Sequence, residues 1–417
     1  MAQLKDDCFA FGGELMPLDV ALETLKGRIG PVTGTESVPL REALGRILAE
    51  DIISPRDVPP HDNSAVDGYA VFFDDLAADA ETRLPVTGRV AAGHPLDRPA
   101  RHGEAVRIFT GAPMPDGLDT IFMEEDCQAA DDVVVLPCGL KQGANRRLRA
   151  EDVASGAIII RSGKRLRAQE IGLAASVGRA ELKVFSRLRA AVFSTGDEIR
   201  DPTGDAPEGS VYDANRFSVM ALLEGLGCEV TDIGILPDDR ETITKALGDA
   251  AGGHDILVTS GGISAGEEDH VKAAVEAQGD LHFWRLAIKP GRPVALGQVG
   301  GTTFVGLPGN PVAAMVTFMV VARPVVLLLG GATNIAAPRF SVTAAFDYKK
   351  KTGRREWVRA TLQCDDAGGL VAHKYPSSGA GILTSMVAAD GLVELAEACG
   401  AVAVGDRVEF LPFSEVT

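Results

Sequence analysis

The sequence predicts a multidomain protein in which a doubly wound α/β domain is flanked by β-rich modules. Between 188 and 322, apolar strand-like runs alternate with helical patterns, and each strand ends in a Gly-rich or acid-rich loop. Such repetition builds a largely parallel sheet with helices on both faces. Residues 55–150 and 333–417 instead carry short β-like runs, the first set broken by Pro, Gly and Asp. A chain of 417 residues is also too long for one ordinary core, so several domains are expected.

Composition narrows the function classes. Hydrophobic residues make up 46% and charged residues 24%, a normal soluble globular balance. A net charge of −17 argues against non-specific nucleic-acid binding. An anionic small ligand stays open, provided that a local basic pocket opposes the overall field. The six cysteines, at 8, 127, 138, 228, 364 and 399, form no C-x-x-C pair. Neither a disulfide framework nor a zinc site is expected, and a reducing, cytoplasmic location fits best. The longest apolar stretch, 312–322, stops at Arg323-Pro324. It is shorter than the roughly 20 residues of a membrane span, so no membrane insertion is expected. The N-terminus lacks the basic-then-apolar order of a signal peptide.

In chain order, Leu18, Leu22, Leu25 and Ile29 recur at helical spacing behind Pro17. Leu40, Leu44, Ile47 and Leu48 predict a second helix. Residues 55–150 read as a mainly β module, with "YAVFF" and "AVRIFTG" as strands. "GAIIIRSGKRL" predicts a hairpin and "AQEIGLAASVG" a short helix. The α/β rhythm then runs from "LRAAVFSTG" to "NPVAAMVTFMVVA", and 333–417 predict a small closing barrel or sandwich.

Ligands of doubly wound sheets bind at the carboxyl ends of strands, here the loops "STGDE", "GILPDD", "SGGISAGEED" and "GLPGNP". In the third loop Gly261 and Gly262 can turn backbone N–H groups toward an anion, while Glu267, Glu268 and Asp269 follow at once. Two readings stay open on the local pattern. Asp269 can cap the following helix, or the acids can hold Mg²⁺ that bridges to phosphate. Asp197, Glu198, Asp238 and Asp239 put more acids at the same sheet edge. Arg285, Lys289 and Arg292 surround "KPG"; Arg285 and Lys289, four apart, would share one strand face. Two exposed charges on an edge strand are the alternative. In "GLPGNP" Pro311 suits a first helical turn, and the loop is either a fixed binding surface or a stiff connection. In the β module, Asp62, Asn63, Ser64 and Asp67 share one polar turn and Thr110 lies in another. Arg146, Arg147 and Arg149 stand beside Glu151 and Asp152. Turn chemistry and a solvated charged face are the simpler accounts of these clusters.

In this order, "PPHDNSAVDGYAV", "RIFTGAPMP", "FSTGDE", "YDANR", "GCEVTDIGILPDD", "TSGGISAGEEDHVK", "FWRLAIKPGRP" and "GLPGNPVAA" resemble the molybdopterin molybdotransferase family, the MoeA type related to the gephyrin E domain. The resemblance runs from about residue 14 to the end of the chain; each piece alone is weakly specific, but eight in order are not. It implies insertion of molybdate into adenylylated molybdopterin with release of AMP, Mg²⁺ dependence and a homodimer. It implies a split linker domain at 14–54 and 151–186, a β-rich module at 55–150, an α/β domain at 187–332 and a C-terminal β-barrel at 333–417. The site would lie between the α/β domain of one subunit and the β module of the other. By the same resemblance, Glu198 and Asp269 serve Mg²⁺ and nucleotide phosphate, and Asp238 belongs to that pocket with Gly261, Gly262 and Ser264. Asp67, Thr110 and Asp152 are polar site positions of the β module and its exit. Lys289 and Arg359, with Arg285 and with Ser377 or Ser378, are expected at the oxyanion. Pro308 and Pro311 shape the pocket loop.

The chain departs from the family pattern at Arg285 and Arg292, where Lys is usual, at Ala150, where Gly is common, and at Ala380, where Ser is expected. Arg keeps the charge but changes the geometry. Competing readings are the adenylyltransferase of the preceding step, a scaffold protein, and a tungstate-inserting paralogue. The adenylyltransferase is a shorter chain with a "GGTG" loop where this one reads "GGIS"; it is also the expected protein partner. A scaffold reading finds no fused domain or long linker to rest on.

Overall fold

The computed structural model describes residues 15–262, 270–291 and 293–417. It shows the multidomain α/β-plus-β architecture. A small lobe is assembled from two distant pieces of chain. Thr35–Pro39 pairs with Glu181–Phe185, and Ile52–Ile53 pairs with Ile158–Ile160. Val38, Leu48 and Ile52 from the first piece share a core with Ile160, Leu166 and Leu182 from the second. These pairings overturn two local expectations. The helix expected over 40–48 is a single 3₁₀ turn, Leu40–Glu42. Gly45 takes a φ of +75°, which ends helical geometry, and Ile47 and Leu48 bridge to Arg165 and Val184. The expected hairpin in 156–166 does not form either, because Ile158–Ile160 finds its apolar partner in Ile52–Ile53. The helix at Ala168–Ser176 forms as expected.

Between the two pieces lies a six-stranded sheet in the order Thr120–Met123, Gly68–Val71, Ala105–Ile108, Thr82–Val90, Val133–Leu136, Gln128–Ala130. Its two faces bury separate apolar clusters drawn wholly from this module. Among the described residues, no hydrogen bond, ion pair or strand pairing joins 58–150 to 187–417.

The α/β domain has six strands: β1 (Arg189–Thr195), β2 (Glu229–Leu236), β3 (Ile256–Ser260), β4 (Leu281–Arg285), β5 (Pro293–Val299) and β6 (Thr302–Leu307). Their order is β2-β1-β3-β6-β5-β4, parallel across the first four and antiparallel at β5 and β4. The N-terminal helix Leu18–Arg28 packs Leu18, Ala21 and Leu25 into this domain's core. At the centre runs one continuous helix, Pro311–Leu329, 19 residues long with mean hydropathy 2.3 and 94% buried in the protein. It is long and apolar enough to cross a membrane, but here it is a core helix. The expected stop at Arg323-Pro324 does not occur. A π-helical stretch, Phe318–Ala322, precedes the proline, which falls in the first turn of the following segment, Arg323–Leu329. There the missing N–H costs little.

The C-terminal strands Phe340–Ala344, Arg355–Cys364, Leu370–Lys374, Gly391–Leu395 and Arg407–Pro412 close on themselves, so the expected barrel-or-sandwich is a barrel. A two-residue strand from the α/β domain, Ile288–Lys289, adds in parallel to Arg355 and Glu356 of this barrel.

Candidate active site

A cavity of about 510 Å³ lies at the seam between strand ends of the α/β sheet and the barrel. From the sheet it takes Gly261 and Gly262 after β3, Pro308, Gly309 and Asn310 after β6, and Lys289 with Pro290 and Gly291. From the barrel it takes Tyr348, Glu356, Trp357, Arg359, Lys374 and Tyr375, then Ser377, Ser378 and Ala380 of the following loop.

The glycines are demanded by close approach. Gly262 has a φ of +63°, and a Cβ there would lie 2.7 Å from the Thr195 methyl and 2.8 Å from Val271. The ends of β1 and β3 and the helix His270–Glu276 are therefore packed against one another with no room for a side chain at Gly262. Asn215 Nδ2 donates to the Gly309 carbonyl at 2.7 Å and fixes the fourth loop. Helix 311–329 starts at Pro311, and its Val312 N–H donates across the seam to the Ala380 carbonyl at 3.0 Å. At Ala380, where Ser is usual, the chain thus contributes its backbone.

The barrel wall is cationic. Arg359, 4% exposed, donates Nε to Ser385 Oγ at 3.0 Å and Nη2 to the carbonyls of Ser377 and Gly379, both at 3.1 Å. Its Nη1 makes no hydrogen bond among the described residues, and no carboxylate pairs with the guanidinium. Burial pushes the Arg359 pKa below its ordinary value. Such a buried cation costs free energy until an anion meets it. Lys289 Nζ donates to Glu356 Oε2 at 3.1 Å. Burial alone would lower the Lys289 pKa, yet the Glu356 and Tyr348 contacts hold it above its usual value, so the ammonium stays charged. Among the described lining residues, Lys289, Arg359 and Lys374 are the cations and Glu356 the one carboxylate.

Arg285 does not share this wall. It ends β4, exposed, whereas Lys289 sits beyond buried Leu286 and Ala287 on the barrel-bound strand. The expectation of one strand face for both is therefore wrong: the chain changes sheets between them.

Around the corner from the cavity, Thr195 Oγ1 donates to Asp238 Oδ1 at 3.3 Å. Glu198, next to the tight turn at Gly196, has a carboxylate without a hydrogen-bond or ionic partner among the described residues. Asp239 is an N-cap, accepting from Thr242 N at 2.8 Å. Ser264, Glu267, Glu268, Asp269 and Arg292 lie outside the described residues. Among the described ones, no group of three or more His, Cys, Asp or Glu is placed to hold a metal by itself.

The β-module residues form a second, separate cluster. Thr110 N and Oγ1 both donate to Asp67 Oδ1 at 2.7 Å, and these bonds lower the Asp67 pKa. The two polar stretches, 58–71 and 144–154, are one unit: Arg146 and Arg147 pair with Ser64 and Asn63, and Val58 bridges Val153. The arginines do not pair with their sequence neighbours Glu151 and Asp152, as a solvated run would. Arg146 reaches Asp62, and Arg149 reaches Asp57. Asp152 is exposed, its backbone N–H bonded to the Val58 carbonyl.

Sequence reading missed Tyr348, Glu356, Lys374 and Tyr375. The one available signal was a charge, Glu356, inside the strand pattern "REWVRA".

Three family descriptions match the chain in order: "MoeA N-terminal region (domain I and II)" over 16–178, "Probable molybdopterin binding domain" over 191–327 and "MoeA C-terminal region (domain IV)" over 341–413. A molybdopterin molybdenumtransferase of Haemophilus influenzae is 38% identical over 404 residues, covering 96% of this chain and 100% of that protein. Molybdopterin molybdenumtransferase 2 of Mycobacterium tuberculosis is 33% identical over 382 residues, covering 89% and 94%. The crystal structure of a molybdopterin biosynthesis moeA protein from Pyrococcus horikoshii OT3 superposes with a TM-score of 0.81 at 28% identity, over 96% of this chain and 100% of that one.

Proposed function

This chain belongs to the molybdopterin molybdenumtransferase family of molybdenum cofactor biosynthesis, and from that premise we propose that it inserts molybdate into adenylylated molybdopterin and releases AMP. The observation that carries the reading is the cavity at the seam, where buried Arg359 faces a void with Lys289 and Lys374 and without a carboxylate of its own. A tetrahedral dianion entering a protein of net charge −17 needs such local, desolvated donors. Lys289, Arg359 and Lys374 bind and orient the oxyanion, and Ser378 lies at the same rim. Gly261, Gly262 and the Pro308–Pro311 loop leave backbone close to the pterin.

The nucleotide phosphates lie at the acid-bearing strand ends. Glu198 and Asp269 supply the oxygen ligands that suit Mg²⁺, which takes one or two carboxylates plus phosphate and water, and Asp238 lines the same pocket. Free Glu198 fits that donor set. Mg²⁺, when bound, neutralises phosphate charge and polarises the bond to AMP. Asp67, Thr110 and Asp152 act on the substrate held by a second copy of the chain, as a homodimer. The reading is supported by the absence of any bond among the described residues between 58–150 and 187–417. The adenylyltransferase that makes the substrate is the natural protein partner. A cytosolic setting suits the five described cysteines, all free thiols.

The test incubates the protein with adenylylated molybdopterin and Mg²⁺, adding molybdate or tungstate. AMP release coupled to metal insertion is expected with molybdate. AMP release that ignores the oxyanion would sink the reading, and a preference for tungstate would move it to a tungsten-specific variant.

A further inference from the structure

A cation and a carboxylate meet in the cavity wall from different lobes. Lys289 and Glu356 are register partners where Ile288–Lys289 joins the barrel. Lys289 Nζ at 3.1 Å and Tyr348 Oη at 2.9 Å both donate to Glu356 Oε2, and Oε1 has no hydrogen bond among the described residues. Glu356 is 2% exposed, whereas the Lys289 side chain is 46% exposed. The asymmetry matters. A half-exposed ammonium does not need an ion pair, but a carboxylate this buried is costly without one. A buried acid in the wall of an anion pocket also opposes the ligand, unless its charge is part of the design.

The charges give that role. With Lys289, Lys374 and Arg359 facing one Glu356, the described lining carries two net positive charges, the magnitude of a tetrahedral dianion. We propose that Glu356 is a positioning residue for the oxyanion: it fixes the Lys289 ammonium at the seam and sets the cavity charge to match the dianion, so that molybdate is held but still transferred. The proposal rests on the cavity's being the molybdate site. A third uncompensated cation would stabilise bound molybdate and transition state alike or favour the former, which tightens binding without speeding transfer.

The experiment compares Glu356→Gln, Glu356→Asp, Lys289→Met and the double variant Lys289→Met/Glu356→Gln. Calorimetry with molybdate alone reads affinity, and insertion assays read KM and kcat. Glu356→Gln is expected to bind molybdate about tenfold more tightly, one charge-assisted contact's worth, while kcat falls about tenfold because the ammonium loses its tether. Glu356→Asp restores the charge but not the reach: affinity returns to that of the unmodified protein and kcat stays low. In the double variant, kcat falls no further than in Lys289→Met alone, because Glu356 acts through Lys289. Weaker molybdate binding in Glu356→Gln, or losses that add fully in the double variant, would overturn the proposal and leave Glu356 a structural pair. If Glu356→Gln does not fold, the double variant buries no unpaired charge, and its comparison with Lys289→Met decides the same question. If the unmodified protein shows no oxyanion-dependent AMP release, the functional reading fails; the calorimetric comparison still reads Glu356 by itself.

Discussion

Among the described residues at the seam, Arg359 Nη1 has no hydrogen-bond partner and three cations face one carboxylate. On the β module, Asp67 takes two bonds from Thr110, and Arg146 and Arg149 are matched by Asp62 and Asp57. Both regions are polar and both carry family motifs, yet they use their capacity in opposite ways. The seam holds charge in reserve behind a low-exposure wall, where an anion gains most from desolvated donors. The module pairs these charges within itself, at an edge where Asp67 and Asp152 are exposed. A reserve of unmet charge points to a binding pocket; an edge whose ion pairs are internal suits a surface that acts on something brought to it.

The strongest way to break the contrast is a mixed dimer. Asp67→Asn and Asp269→Asn should each lose about 100- to 1,000-fold in AMP release, the scale of a catalytic electrostatic contact. Co-purified heterodimers should recover activity through one intact site. If mixtures stay as inactive as their parents, the module does not serve a neighbouring subunit. Next in size is Arg359→Ala. Half-maximal insertion should need about 10- to 100-fold more molybdate, given about 1.5–3 kcal/mol for a bond to a charged group. Pterin binding should change less. The reverse pattern would assign the barrel cations to substrate phosphate.

Arg216 sharpens the comparison from the side of stability. It is 2% exposed and bridges Asp201, Asp213 and Asp232, tying the loop after β1 to β2. Arg216→Met leaves Asp213 buried and unpaired, which should cost about 3–5 kcal/mol in denaturant unfolding. Activity lost at temperatures where that variant is folded would place Arg216 in the site itself. The smallest effect is expected in acid. Arg98 and Thr87 hold Glu104 of the β module at about 2, against an ordinary 4.5. Its folded pKa is depressed, so its stabilising contribution is present above pH 4.5 and fades between 4.5 and about 2. Glu104→Gln should lower the module's melting temperature at pH 7 and flatten its pH dependence across that window, so that the variant and the unmodified protein converge toward pH 2.

The strand-end loops were legible because strand, Gly turn and helix are local patterns, and the α/β order followed from them. The barrel side of the cavity was not. Lys289 and Glu356 are 67 residues apart and meet through a two-residue parallel pairing, which no periodicity announces. Arg285 and Lys289 were placed together because a strand was assumed to continue, whereas the chain leaves one sheet for another at Leu286. The helix expected at 40–48 failed for the same reason: its apolar spacing suited a helix, but its partners lay more than 100 residues downstream in the split lobe.

The hydrogen bond from Val312 to the Ala380 carbonyl ties the first turn of the buried helix to the loop that Arg359 supports. That single amide is therefore a clock for the seam. Amides deeper in helix 311–329 exchange with solvent deuterium only when the whole core opens. Val312 can exchange whenever the barrel swings away, so its protection measures how often the two lobes part. An oxyanion that bridges them should slow that one signal selectively, reporting occupancy in a protein that turns nothing over.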